Sequence, residues 1–218
     1  MKFSNIKEYH FNSDNTTGYL SDFSNYNPKI DCIKLHEETI AKNEISSGVD
    51  VNDFEPIVLS LYPNNILSSK SKNFEASQLI LLDGHHRWKY ANQINLVNKL
   101  KCILVNFKDI KVKSYLYKIN LENDKFIDYL SESDYFSDND GHIGIYFRNE
   151  MYINKNVKNI YDLYYFKKSL QENNIITPIL EDVIETSTLV KFTSLKPEDL
   201  IYIDHLLPPK STWITPRI

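Results

Sequence analysis

A chain of 218 residues that is 42% hydrophobic and 25% charged can bury one sizeable core or two smaller ones, which excludes a disordered polymer. Its net charge of −4 and pI of about 5.9 exclude a surface built to neutralise many nucleic-acid phosphates. No run of about 18 apolar residues is present to span a bilayer, and the first 20 residues carry Lys2, Lys7, Glu8 and Asp14 without an apolar block, so a signal peptide is not expected and the expected compartment is the cytoplasm.

Residues 1 to about 29, rich in Asn, Ser, Asp and Tyr, read as an irregular lead-in. A short strand is expected at Ile30 to Leu35, then a helix over Glu37 to Ser47 that Gly48 ends. Pro56 precedes a strand over Ile57 to Tyr62, and a polar loop fills Pro63 to Ser77. Gln78 to Leu82 is the next strand, and Trp88 to Leu96 the helix that follows it. Strands over Lys101 to Phe107 and Val112 to Ile119 complete a small mixed sheet, with a soft domain boundary near residue 120. Beyond it come a helix at Leu121 to Ser133, a hairpin at His142 to Phe147 and Met151 to Ile153, and a helix at Ile160 to Gln171 whose Tyr161, Tyr164, Tyr165 and Phe166 read as core. Short strands are expected at Leu189 to Phe192 and Leu200 to Ile203. Cys32 and Cys102 lie in apolar runs with no CxxC pair, so both read as small buried hydrophobes.

Between the strand ending at Leu82 and the following helix stand Asp83, Gly84, His85, His86 and Arg87. A carboxylate, a residue without Cβ, two imidazoles and a guanidinium at a strand-to-helix turn suit a phosphate and its metal, because the helix start favours an anion. The chain has only three arginines, Arg87, Arg148 and Arg217, so Arg87 within this cluster suggests bidentate work. The alternative is an Arg87–Asp pair that merely holds the turn. Near the end, Pro208 and Pro209 stiffen the backbone before Lys210, Ser211 and Thr212, three side chains able to donate to phosphate oxygens. A solvated lysine in a stiffened tail is the alternative there. A metal site of His36, His85, His86 and His205 lacks any HxxxH or CxxC spacing.

Leu35-His36-Glu37 after a strand, Glu55-Pro56 before the next, Leu81-Leu-Asp-Gly-His-His-Arg-Trp88 and the terminal Pro209-Lys-Ser-Thr212 together resemble the ParB/sulfiredoxin-like superfamily, and within it the free L-serine kinases. The similarity spans about residues 30 to 120 and the terminal motif. His-His stands where ParB partition proteins carry Glu-Arg, and His85 where sulfiredoxins need a catalytic Cys, so neither relative is the functional guide.

The resemblance implies an α+β (mixed α/β) fold, with a ParB/sulfiredoxin-like nucleotide-phosphate domain over 1–120 and a smaller α+β region over 121–218 that contributes the PPKST segment. It implies phosphoryl transfer from ATP or ADP to the hydroxyl of free L-serine, with Mg²⁺ as cofactor, L-serine or a similar small hydroxyl amino acid and a nucleotide as partners, and no nucleic acid or membrane. Glu37 and Asp83 would be catalytic, Glu37 as base and Asp83 holding Mg²⁺ directly or through water, with Glu38 the fallback base. Gly84, His85, His86, Arg87, Lys210, Ser211 and Thr212 would bind phosphate, and His36, Trp88 and Tyr115 the substrate. The tail is expected to fold back on the turn, anchored by a buried Trp213 and Ile214. The competing reading is a non-catalytic nucleotide-binding regulatory module of ParB-like fold, which needs the same cradle but no base.

Overall fold

A computed structural model describes residues 1–12, 16–39, 48–68, 70–138, 140–179, 186, 188–216 and 218. The fold is α+β and divides into two compact units. Unit 1 comprises Met1–Val112, Lys196–Leu206 and Ile214–Ile218; unit 2 comprises Lys113–Leu195 and Leu207–Trp213. The chain therefore leaves the first unit after residue 112, where the sequence suggested about 120, and the last residues are shared between both.

Unit 1 begins with a hairpin, β1 (Lys2–His10) and β2 (Thr17–Asn25), where an irregular lead-in was expected. The polar composition of this stretch masks a period-two pattern: Tyr19, Ser21 and Phe23 are buried on one face of β2, and Phe3 packs on Phe23 at 4.9 Å between ring centroids. There follow β3 (Cys32–Lys34), β4 (Ile57–Leu61), β5 (Phe74–Glu75), β6 (Gln78–Asp83), the helix α1 (His85–Gln93) and β7 (Lys101–Val105). The strands form one seven-stranded sheet in the order β3-β6-β4-β7-β2-β1-β5. β3 runs parallel to β6 and β4 parallel to β7, while β4 and β6 are antiparallel, so the sheet is mixed. All five residues of β4 are buried, as a central strand covered on both faces requires. Trp88 and Ala91 of α1 join Ile57, Leu59, Leu79, Leu81 and Leu104 in the core.

Other expectations for this unit also change. Glu37 to Thr39 are not helical, and Ile40 to Ser47, the rest of the expected helix, lie outside the described residues. Cys32 is exposed, because the edge strand β3 turns it outward; Cys102 is buried as expected. The apolar run at Leu200 forms the short helix α4 (Asp199–Tyr202) rather than a strand. Pro197 and the Asp199 carboxylate, which accepts from the Lys196 amide at 2.7 Å, set a helix start that a four-residue apolar run cannot reveal by periodicity. The Ile201 carbonyl in α4 accepts from the Lys34 ammonium on β3.

Unit 2 is built on a six-stranded sheet in which every pairing is antiparallel. The expected strand over Val112 to Ile119 is two strands, β8 (Lys111–Ser114) and β9 (Leu116–Ile119), in different sheets. Then come α2 (Asn123–Glu132), β10 (Phe136–Ser137), β11 (Ile145–Phe147), β12 (Glu150–Ile153), α3 (Ile160–Glu172), β13 (Ile176–Pro178), β14 (Leu189–Phe192) and, at the end of the chain, β15 (Thr212–Thr215) paired with β8. The sheet order is β10-β12-β11-β14-β9-β13. Of the aromatic residues on α3, Tyr164 is fully buried and Tyr165 faces outward.

Candidate phosphate-binding site

The ladder between β4 and β6 pairs Val58 with Asp83, so the carboxyl end of β6 lies beside the start of β4. Gly84 then turns the chain with φ 91° and ψ 27° and serves as N-cap of α1. That conformation is left-handed and favours glycine, and there is no room for more: a Cβ here would lie 2.7 Å from Ile57 Cγ2 and 3.1 Å from two nitrogens of the Arg87 guanidinium. Gly84 thus lets Arg87 fold back over the turn. Because Gly84 brings no side chain to cap the helix, the amide end of α1 carries His85, His86 and Arg87 in its first turn with the dipole directed at whatever anion sits there.

Arg87 and Asp83 face each other at 3.4 Å, and the second guanidinium branch reaches Glu55 at 3.3 Å. Arg87 and Asp83 are largely shielded, whereas Glu55 is mostly exposed. Both distances are longer than the roughly 2.7–2.9 Å of a tight charge-assisted bond, so a phosphate can replace these contacts without breaking a strong fork. Glu55 went unrecognised as a site residue in the sequence; it lies just before β4, which pairs with β6 at Asp83, and meets Arg87. An Asp and a Glu close to one guanidinium, with phosphate oxygens and water completing the shell, suit Mg²⁺, which takes few protein ligands. Among the described residues there is no group of three or more His, Cys, Asp or Glu arranged to hold a metal ion by themselves.

His36 is buried at 2% exposure, and its Nδ1 lies 3.0 Å from the Leu81 carbonyl. Its ring meets that of His85 edge to face, 4.7 Å between centroids. Burial pushes the His36 imidazole below its ordinary value; the neighbouring Glu37 and the Leu81 bond pull the other way and do not prevail. Glu37, next in the chain, is half-buried, and Glu38 is exposed. The structure therefore gathers His36, Asp83, Gly84, His85 and Arg87, adds Glu55, and sets Glu37 one residue from His36. Trp88, expected at the substrate, is instead a core residue against Phe23 and Tyr26.

The remaining expected residues belong to unit 2, apart from His86 and Ile214 in unit 1. Tyr115 is buried against Trp213, 5.1 Å between ring centroids, and so anchors the tail; Ile214 is buried and Trp213 half-buried. Ser211 is fully buried and its hydroxyl donates to the Pro208 carbonyl, so it holds the turn from inside; Thr212 is buried in β15. Lys210 stands at φ 57° with its side chain half-buried. Sequence reasoning missed Lys167 on α3, which is wholly buried and donates to the carbonyls of Pro209 at 3.1 Å and Lys210 at 3.2 Å and to Ser211 Oγ at 3.0 Å. The rings of Tyr164 and Tyr117 flank its ammonium at 5.5 and 6.0 Å, and the Tyr117 hydroxyl donates to the Lys210 carbonyl at 2.7 Å.

No protein-family model and no curated protein sequence matches the chain. Solved structures do. SbnI with a C-terminal truncation from Staphylococcus aureus is 13% identical, with 84% of this chain and 79% of that one aligned at a TM-score of 0.56. A mutant of free serine kinase in complex with ADP is 11% identical over 97% of this chain and 90% of that one, at a TM-score of 0.52. Another mutant of the same kinase, in complex with AMP, gives 11% identity, the same coverage and a TM-score of 0.51. The chain thus has the fold shared by free serine kinase and SbnI, and the likeness to free serine kinase was the one expected from the sequence.

Proposed function

We propose that this chain is a kinase that moves a phosphoryl group from ATP or ADP to the hydroxyl of free L-serine, giving O-phospho-L-serine. The observation that carries the reading is the glycine-capped start of α1, where Arg87 folds back over the turn against Asp83, in a fold whose solved examples include a serine kinase holding AMP or ADP. Phosphoryl transfer asks a protein for positioning and charge neutralisation more than for covalent chemistry, and these side chains offer both.

In this reading Arg87 leaves Asp83 and Glu55 to grip a phosphate with both branches of its fork. His85 and His86 donate to further phosphate oxygens from the amide end of α1. Asp83 would hold Mg²⁺ directly or through water, and the ion would supply neutralisation of phosphate charge. Glu37 accepts the serine hydroxyl proton while the oxygen attacks phosphorus; the bond from phosphorus to the bridging oxygen breaks, and ADP or AMP leaves. Glu37 is preferred over Glu38 because it is half-buried beside His36. Lys210 is a further phosphate-binding cation, a role that rests on the PPKST resemblance.

Incubation with Mg²⁺, L-serine and either ATP or ADP, followed by mass spectrometry, is expected to yield O-phosphoserine with one of the two donors. Nucleotide binding without any phosphorylated amino acid would overturn the kinase reading in favour of a nucleotide-binding module.

A further inference from the structure

The parallel ladder of β3 on β6 pairs Cys32 with Gln78, Ile33 with Leu79 and Lys34 with Ile80, then stops. It opens with the Cys32 amide donating to the Ser77 carbonyl at 2.8 Å. By the two-residue period of such a ladder, the Leu81 carbonyl lies opposite residue 36. There the imidazole Nδ1 of His36 contacts that carbonyl at 3.0 Å. A side chain thus prolongs the strand pairing two residues past its last paired residue, on the strand that ends in Asp83.

We infer that His36 is a positioning residue that clamps the Glu37-bearing segment onto β6 and sets the ring of His85, rather than a group that touches substrate. The inference rests on the proposed phosphoryl transfer for its kinetic consequence. Nδ1 must carry a proton to donate to a carbonyl, and burial, which pushes the imidazole down, favours the neutral ring, so the clamp calls for the Nδ1–H tautomer. The Glu37 Cα lies only about 3.8 Å along the chain from this fixed point. The His36 bond thus helps hold the register of Glu37, whose own backbone is in a β-bridge, relative to Asp83. The edge-to-face contact with His85 fixes a second member of the cluster from the same ring. At 2% exposure His36 has almost no surface to offer a ligand.

Two substitutions separate the roles. Asn places its amide nitrogen where His has Nδ1, so His36→Asn keeps the bond to Leu81; His36→Phe keeps an aromatic ring against His85 but loses the donor. The expected result is kcat near the parent value for His36→Asn, and a kcat about 10²-fold lower with little change in the serine KM for His36→Phe, at nucleotide affinity equal to the parent. A rise in serine KM with kcat preserved in both variants would make His36 a substrate contact and overturn the inference, as would unchanged kinetics in His36→Phe. Nitrogen NMR of the unmodified protein reads the clamp without any turnover and is expected to show the Nδ1–H tautomer. An Nε2–H tautomer there removes the clamp whatever the activity, whereas the expected tautomer in a protein that phosphorylates nothing removes only the kinase reading.

Discussion

Arg87 meets Asp83 with one branch of its guanidinium and Glu55 with the other. Such partly exposed, long ion pairs contribute about 0–1 kcal/mol. Arg87→Ala and Asp83→Asn are therefore expected to leave the circular dichroism spectrum and unfolding midpoint almost unchanged while abolishing phosphoryl transfer; near-parental turnover in either would make the turn purely structural. Glu37→Gln, which keeps shape but accepts no proton, is expected to keep nucleotide binding while transfer falls by roughly 10²–10⁴. His36 gives a stability prediction as well. Its folded value lies below the ordinary 6.5, so the unfolded chain takes up a proton that the folded chain resists. The corresponding stability is whole above about pH 6.5 and is lost as pH falls toward the lowered folded value. Urea unfolding of the parent and of His36→Asn should diverge on acidification, with the parent losing more; parallel curves would mean that His36 titrates normally in the fold.

At the scale of elements, the strands and helices with long apolar patterns were legible, β4, β6, β7 and α3 among them. What escaped was set by partners remote in the chain. The β1–β2 hairpin looks polar because only one face is buried, and that face is recognised only once β7 is seen to pair with β2. β8 and β9 read as one strand because nothing local says that their partners are β15 and β13–β14. The PPKST turn was read for its donors, yet its conformation is set by Lys167 from α3. A buried ammonium must be matched by acceptors, and two carbonyls with one hydroxyl match its three hydrogens. Lys167→Met fills similar space but leaves the Pro209 and Lys210 carbonyls without this donor, a loss of about 1–3 kcal/mol. We expect a lower urea midpoint and faster tryptic cleavage after Lys210; equal cleavage rates would mean that the turn holds its shape without the buried lysine.

Over the whole molecule, the α+β class and a likeness in fold to free serine kinase were expected from the sequence, and the solved structures share that fold at 11% identity. At Gly84 a left-handed backbone beneath a guanidinium admits few substitutes, whereas core positions of a mixed sheet accept any side chains of suitable volume. The division into units was less legible. A soft boundary near residue 120 treats the chain as two consecutive pieces, but Lys196–Leu206 and Ile214–Ile218 return to the first unit. No local composition marks that return, since it is made by α4 and the final strand after a sheet of a different pattern.

The return of Lys196–Leu206 has a consequence in time. On the ribosome the strands of the seven-stranded sheet emerge early, but the Ile201 carbonyl that receives the Lys34 ammonium on edge strand β3 is made only after β14, the last strand of the second sheet. At about 5–20 residues per second that interval is on the order of ten seconds. During it the nascent edge lacks its final partner, and the second sheet can assemble before the first unit is complete.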